Sequence, residues 1–255
     1  MLVCILAVVA AVGVVVAAAL LFRKFGRGSD DSDPGGATAG HAGSMLSALF
    51  LLVFAIAIVI PWTNADSARE NTYTESRALV EAYWAAAALP APQGRDVQAD
   101  LRAYTDLVVG REWNSMKRGH VTAEGDDRLT ALRSKLNALP VANDDQKDDR
   151  DAVVEQLQAL ATARGQRALD ARTHPPAGLL YMTILTGLVV LIFPFMAGAR
   201  PRAMTIVPLG VMAALLGFGV FLAFDISHVF TGALRVKPDA YITAQHEFQQ
   251  IPESR

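Results

Sequence analysis

Charged residues vanish from four stretches of the chain: Met1 to Phe22, Pro34 to Ala65, Thr173 to Ala199 and Ala203 to Phe224. An uncompensated Asp, Lys or Arg at a bilayer centre costs roughly 2.5 to 3.5 kcal/mol, so charge-free gaps of this length mark membrane spans. Each gap holds the roughly 20 helical residues that cross a hydrocarbon core. Within the second, Met45 to Ile60 carries eleven Leu, Ile, Val or Phe residues, worth on the order of −5 kcal/mol on insertion scales. The pattern predicts spans near 2–22, 44–62, 177–197 and 204–224. The first reads as an anchor and not as a cleaved leader, because no positive residue precedes it while Arg23, Lys24 and Arg27 follow it.

Between the second and third spans the pattern changes to helical amphipathicity. Residues 66–173 contain 18 acidic and 15 basic residues and no apolar run long enough to span. Four stripes recur at helical spacing. The first is Leu79, Val80, Tyr83, Trp84 and Ala87, stopped by Pro90 and Pro92. The second is Val97, Leu101, Tyr104 and Val108, extending to Trp113 and Met116. Leu129, Leu132, Leu136 and Leu139 form a third, with Thr122 as N-cap and Pro140 as its stop. Val154, Leu157, Leu160, Ala161 and Leu169 form a fourth, capped near Asn143. Each stripe needs a surface to cover it, so a soluble helical bundle is predicted over 63–174. The fold class is all-α: four transmembrane helices with a helical insert between the second and third. The domains run 1–62 (a transmembrane hairpin), 63–174, 175–224 (a second hairpin) and 225–255. The Gly-, Ser- and Asp-rich residues 28–44 read as a flexible linker. The last stretch is a return segment, in which Tyr241, Ala244, Gln245, Phe248 and Ile251 fall at helical spacing and pack on the bundle or lie at the membrane interface.

Composition narrows the function. The 255 residues are 52% hydrophobic and 19% charged, with a mean hydropathy of +0.29. That is too apolar for an ordinary soluble domain, and the lipid bilayer is the first partner implied. A net charge of −2 without a sustained basic run gives no electrostatic case for nucleic acid. One cysteine, Cys4, excludes an intrachain disulfide and a paired-thiol redox motif. The acidic run at 144–149 lacks the central glycine and distal glutamate of an EF-hand and reads as the start of a helix. No nucleophile with a base and no metal-ligand motif lies within or beside the spans, so no enzyme, cofactor, catalytic residue or metal site is expected. The positive-inside rule, applied to Arg23, Lys24 and Arg27 and to Arg200 and Arg202, puts those loops in the cytoplasm of a multi-pass cell-membrane protein and the insert outside. Arg69, Arg77, Arg167, Arg172, Arg235 and Lys237 sit at the opposite span ends and pull the other way.

Three segments carry a family likeness: Glu75, Leu79 and Tyr83 in "ESRALVEAY"; Tyr104, Val108, Glu112, Trp113 and Met116 in "YTDLVVGREWNSM"; and Phe230, Gly232, Val236 and Pro238 in "FTGALRVKP". With two spans, a helical insert, two more spans and a tail, the chain resembles the bestrophin-like family of bacterial membrane proteins over nearly its whole length. The likeness implies a fold more firmly than an activity, since the family has no established biochemical activity and is only distantly related to the bestrophin anion channels. Those channels hold their helical insert in the cytoplasm, opposite to the charge-based sidedness.

A channel needs a pore-lining face. Phe50, Phe54 and Ile58 stand at i, i+4 and i+8 on the second span, a spacing like the apolar neck of bestrophin channels, where hydrophobic rings from five subunits constrict the path. Chance alone supplies such a pair in so apolar a span, and no charged ring lies inside any span. Asp225 and His228, at i and i+3, form the ionisable pair at a helix end beside the membrane. Glu112 beside Trp113 reads as a buried polar contact or subunit interface. Small-xxx-small pairs, Ala7 with Ala11, Gly13 with Ala17 and Ala213 with Gly217, favour close helix approach and assembly. The functional expectation is an oligomeric anion or small-ion channel, or else a non-conducting envelope scaffold or accessory subunit that binds another protein through the insert.

Overall fold

The computed structural model describes residues 2–25, 36–173, 175–197, 203–232 and 234–253. Among these residues every regular element is helical. Helices α1 (Leu2–Phe25) and α2 (Gly36–Ala88) come first. Next are α3 (Gln93–Leu107), one π-helical turn (Val108–Glu112) and the short α4 (Trp113–Met116). Then follow α5 (Ala123–Asn137), α6 (Asp144–Arg172), α7 (Ala177–Met196), α8 (Ala203–Asp225) and α9 (Asp239–Phe248). The chain divides into two compact units, Met1–Trp62 with His174–His228, and Thr63–Thr173 with Val229–Arg255.

Three helices are long and apolar enough to cross a membrane, within Gly40–Ala88, Gly178–Met196 and Val207–Asp225, while Ile5–Ala18 of α1 is a shorter apolar stretch. The expected linker over 28–44 needs correction. From Gly36 onward it is already helix, and residues 28–35 lie outside the described ones. Once a long apolar helix is nucleated, each added residue gains a hydrogen bond for little further ordering cost, and the Ser44 hydroxyl donates back to the Gly40 carbonyl at 3.0 Å. Arg27, Arg200 and Arg202 lie outside the described residues.

The first unit is small-residue packing beneath an apolar surface. Its core is Val15, Leu191, Phe195 and Ala213, and large apolar side chains such as Leu6, Val9, Leu51, Leu185 and Leu215 stay exposed. Gly217 of α8 lies so close to α1 that an added Cβ would stand 3.0 Å from both the Ala7 carbonyl oxygen and the Ala11 Cβ. Of the small pairs read from the sequence, Ala7 with Ala11 thus meets Gly217 inside one chain, whereas Gly13 has open space beside it and Ala17 is exposed. The Thr183 and Thr186 hydroxyls donate to the carbonyls of Leu179 and Met182 at 2.8 and 2.7 Å, which satisfies them without water. Pro194 and Pro208 lie within α7 and α8.

The second unit has one continuous hydrophobic core, from Leu79 and Tyr83 of α2 through Val97 and Leu101 of α3, Leu132 and Leu136 of α5 and Leu157 and Leu160 of α6 to Tyr241 and Phe248 of α9. Three expected core residues are outside it: Trp84, Ala161 and Leu169 are exposed. On α6 the buried face is Val153, Leu157, Leu160, Arg164, Arg167 and Ala171. These positions step by four and three residues, the repeat of an inward helix face. Two arginines occupy that repeat, which is why the apolar pattern alone drifted to Ala161 and Leu169. Asn143 caps α6 by accepting from the Gln146 amide at 2.9 Å.

The π-turn resolves a mismatch in the second stripe. Val108 and Trp113 are five residues apart and could not both face inward on a regular α-helix. Through the π-turn the Trp113 amide donates to the Val108 carbonyl, and Val108, Glu112, Trp113 and Met116 are all buried.

Candidate functional site

The second unit contains a charge cluster at its centre. Glu75 comes from α2, Tyr104 from α3, Glu112 from the end of the π-turn, and Arg164 and Arg167 from the inward face of α6. All five are at most 1% exposed. Such burial is tolerable only if each charge is matched and hydrogen-bonded, and the geometry meets that demand. Arg167 grips Glu75 with two donors, Nε to Oε2 at 2.6 Å and Nη2 to Oε1 at 3.0 Å, and reaches Glu112 Oε1 with Nη2 at 2.7 Å. Arg164 grips Glu112 through Nη1 at 2.6 Å and Nη2 at 2.9 Å. It also donates to the Thr122 carbonyl at 2.8 Å and, by Nε, to Asp126 at 2.7 Å, with Tyr104 Oη at 3.4 Å completing its five donors. The Tyr104 hydroxyl donates to Glu75 Oε1 at 2.7 Å.

Two carboxylates and two guanidiniums cancel, so the core carries no net charge from these four groups. Burial alone would push the Glu112 carboxyl up; hydrogen bonds from Arg164 and Arg167 and the charges of both outweigh it and hold Glu112 below the usual carboxylate value. Burial, reinforced by the Glu75 charge, raises the Tyr104 phenol well above its ordinary value despite the two arginines, which keeps it a hydrogen-bond donor. Gly125 closes one side: a Cβ there would overlap the Arg164 guanidinium. Thr122 occupies the N-cap position of α5 but gives α5 no side-chain cap bond; its hydroxyl donates instead to Glu112 Oε2 at 3.1 Å.

The C-terminal segment is drawn into the same core. Trp113 meets Phe230 and Tyr241 edge-on, with ring centroids 5.6 and 5.9 Å apart. The Arg167 guanidinium lies 5.6 Å from the Tyr241 ring centroid. Gly232 adopts φ 80°, a left-handed turn suited to glycine, and Val236 returns to pair its amide with the Val229 carbonyl at 2.9 Å. Pro238 stands at the N-terminus of α9. The residues drawn from three separate sequence segments therefore converge in one unit. Sequence reasoning missed Arg164 and Arg167 as their partners, although the four-three repeat on α6 was there to be read.

The other candidate residues lie in the first unit. Phe50 is buried and Phe54 half-buried, their rings stacked at 5.6 Å. A Cβ on Gly187 of α7 would stand 3.2 Å from the Phe50 ring, and one on Gly219 of α8 would stand 2.7 Å from that of Phe54. The two aromatic rings thus seat on glycines of neighbouring helices of the same chain; Ile58 is half-buried. Asp225 ends α8, and the His228 ring is exposed with Nδ1 3.2 Å from Ser227 Oγ. Among the described residues no group of three or more His, Cys, Asp or Glu side chains could hold a metal ion.

A family model for the bestrophin-like domain matches residues 9–241. The chain belongs to the bestrophin-like family. That match spans both units and takes in the cluster, the π-turn and Gly232. No curated protein and no solved structure matches this bestrophin-like chain. The family and the three apolar helices fit a membrane protein.

Proposed function

We propose that this bestrophin-like chain is a four-span protein of the cell membrane that performs no chemistry and works as an oligomeric scaffold or accessory subunit, presenting its helical insert to another protein. The observation that supports the reading is that the rings of Phe50 and Phe54 lie against Gly187 and Gly219 of the same chain. The surface of the insert supports it as well, because Trp84 and Leu169 are large apolar side chains left exposed. The fourth span is α1, whose 24 residues carry no charge before Arg23.

A second reading, passive anion or small-ion conduction, is favoured by the family and by the shared α2 face of Phe50, Phe54 and Ile58. The path would then run between copies. Full-length protein in planar bilayers decides between them. The scaffold reading expects no current across several lipid and ion conditions; a reproducible current that changes in Phe50→Ala and Phe54→Ala would overturn it.

By the charges beside span one, the insert faces away from the cytoplasm. Protease added outside intact cells is expected to cut the insert of the membrane-inserted protein. Protection in intact cells, with cutting in inverted vesicles, would reverse this sidedness.

A further inference from the structure

A basic cavity of about 210 Å³ lies in the second unit, lined by Arg69, Thr72 and Tyr73 of α2 and by Arg235, Val236, Lys237, Asp239 and Ala240. Three cations face one lining carboxylate. Arg69 has a weak surface pair with Asp66 at 3.3 Å, and both partners are well exposed. Among the described residues, Arg235 and Lys237 form no ion pair or hydrogen bond.

The cations are held in place and are not on a loose loop. Val236, between Arg235 and Lys237, is buried in the core and its amide bonds to Val229. Arg235 and Lys237, on either side of the buried Val236, are both exposed and both line the cavity. The Ser76 hydroxyl of α2 donates to the Ala240 carbonyl at 2.8 Å, tying the far wall of the cavity to the helix that carries Arg69. Both walls also continue from apolar helices: Arg69 is seven residues beyond Trp62 in α2, and Arg235 is ten beyond Asp225, the end of α8. Along α2, seven residues rise only about 10 Å.

We infer that Arg69, Arg235 and Lys237 form a binding site for a phosphate group, with the Tyr73 hydroxyl as an additional donor. Two guanidiniums and an ammonium lining one cavity against a single carboxylate, with two of the three cations lacking an internal partner, suit an oxyanion that accepts several charge-assisted hydrogen bonds. The phosphate can come from an anionic phospholipid headgroup or from free phosphate. The lipid source rests on the membrane reading above, but neither source depends on whether the protein conducts.

Native mass spectrometry of the detergent-purified full chain, with phosphatidylglycerol or phosphatidylcholine added, tests the lipid source; calorimetric titration with inorganic phosphate tests the free anion. Each basic residue near an anionic surface is worth about a fivefold change in binding. Arg235→Gln/Lys237→Gln should therefore lose roughly 30-fold in phosphatidylglycerol retention, while Arg235→Lys/Lys237→Arg retains most of it. Unchanged far-UV circular dichroism in both variants excludes unfolding as the cause. Preference for phosphatidylglycerol lost in the Gln variant supports a headgroup site. Phosphate binding lost in that variant without any lipid preference supports a free-anion site. Equal retention of the two lipids with no phosphate binding, or binding unaffected by the Gln variant, overturns the inference.

Discussion

Replacing Arg167 with methionine is expected to destabilise the helical insert by about 3 to 5 kcal/mol, the cost of leaving a buried charge without its partner. Methionine keeps most of the aliphatic stem, so the loss is electrostatic and not a matter of volume. What remains is severe. Glu75 loses both guanidinium bonds and keeps only the Tyr104 hydroxyl, while Glu112 keeps Arg164. Thermal unfolding of the full chain in detergent, followed by circular dichroism, reads the effect as a lowered midpoint. Glu75→Leu/Arg167→Met removes both members of one pair and is expected to recover much of the loss, because an apolar pair of similar size is no worse than a buried ion pair. A single variant as stable as the wild type would mean that the cluster is open to water.

Acid is expected to undo the same centre. The folded-state value of Glu112 lies below its unfolded one, so its stabilisation is fully present above the ordinary glutamate range, near about pH 4.3, and is lost as the pH falls through the folded value. The groups facing it are Arg164, Arg167 and the Thr122 hydroxyl, with Tyr104 and Asp126 around Arg164. Protonation therefore leaves two guanidiniums facing a neutral acid. The Glu112→Gln variant isolates this contribution from the surface carboxylates. It should melt earlier than wild type at pH 7, and the two midpoints should converge below the carboxylate range. Parallel curves from pH 7 to pH 3 would show that Glu112 does not titrate as the geometry requires.

Both outcomes follow from a centre in which the partners of a charge are remote in sequence. Arg167 and Glu75 are 92 residues apart, and Arg164 and Glu112 are 52. A helix face can be recognised locally because apolar side chains repeat along it. The inward positions 164 and 167 of α6 are charged, and nothing nearby indicates that each will be neutralised on folding. Arg167 accordingly read as one more basic residue near a span end, although it is sealed in the core and is no guide to sidedness. Glu112 stood out beside Trp113 as a buried polar contact, but its two arginines did not.

The π-turn marks the same boundary. The second stripe was legible as far as Val108, and the five-residue step to Trp113 became intelligible only when the backbone was seen to take up the extra residue. Likewise Phe50 and Phe54 were legible as one face of a helix, whereas the glycines that receive their rings sit more than 130 residues further on, at Gly187 and Gly219.

By itself the sequence determined where lipid-compatible helices can lie, that the insert is helical, and the family, because the cost of a charge in hydrocarbon and the period of an amphipathic helix are local properties. Only the tertiary structure decided which charges could be buried, which small residues receive which rings, and which cations share a cavity. Those outcomes depend on pairing groups that chain connectivity keeps far apart.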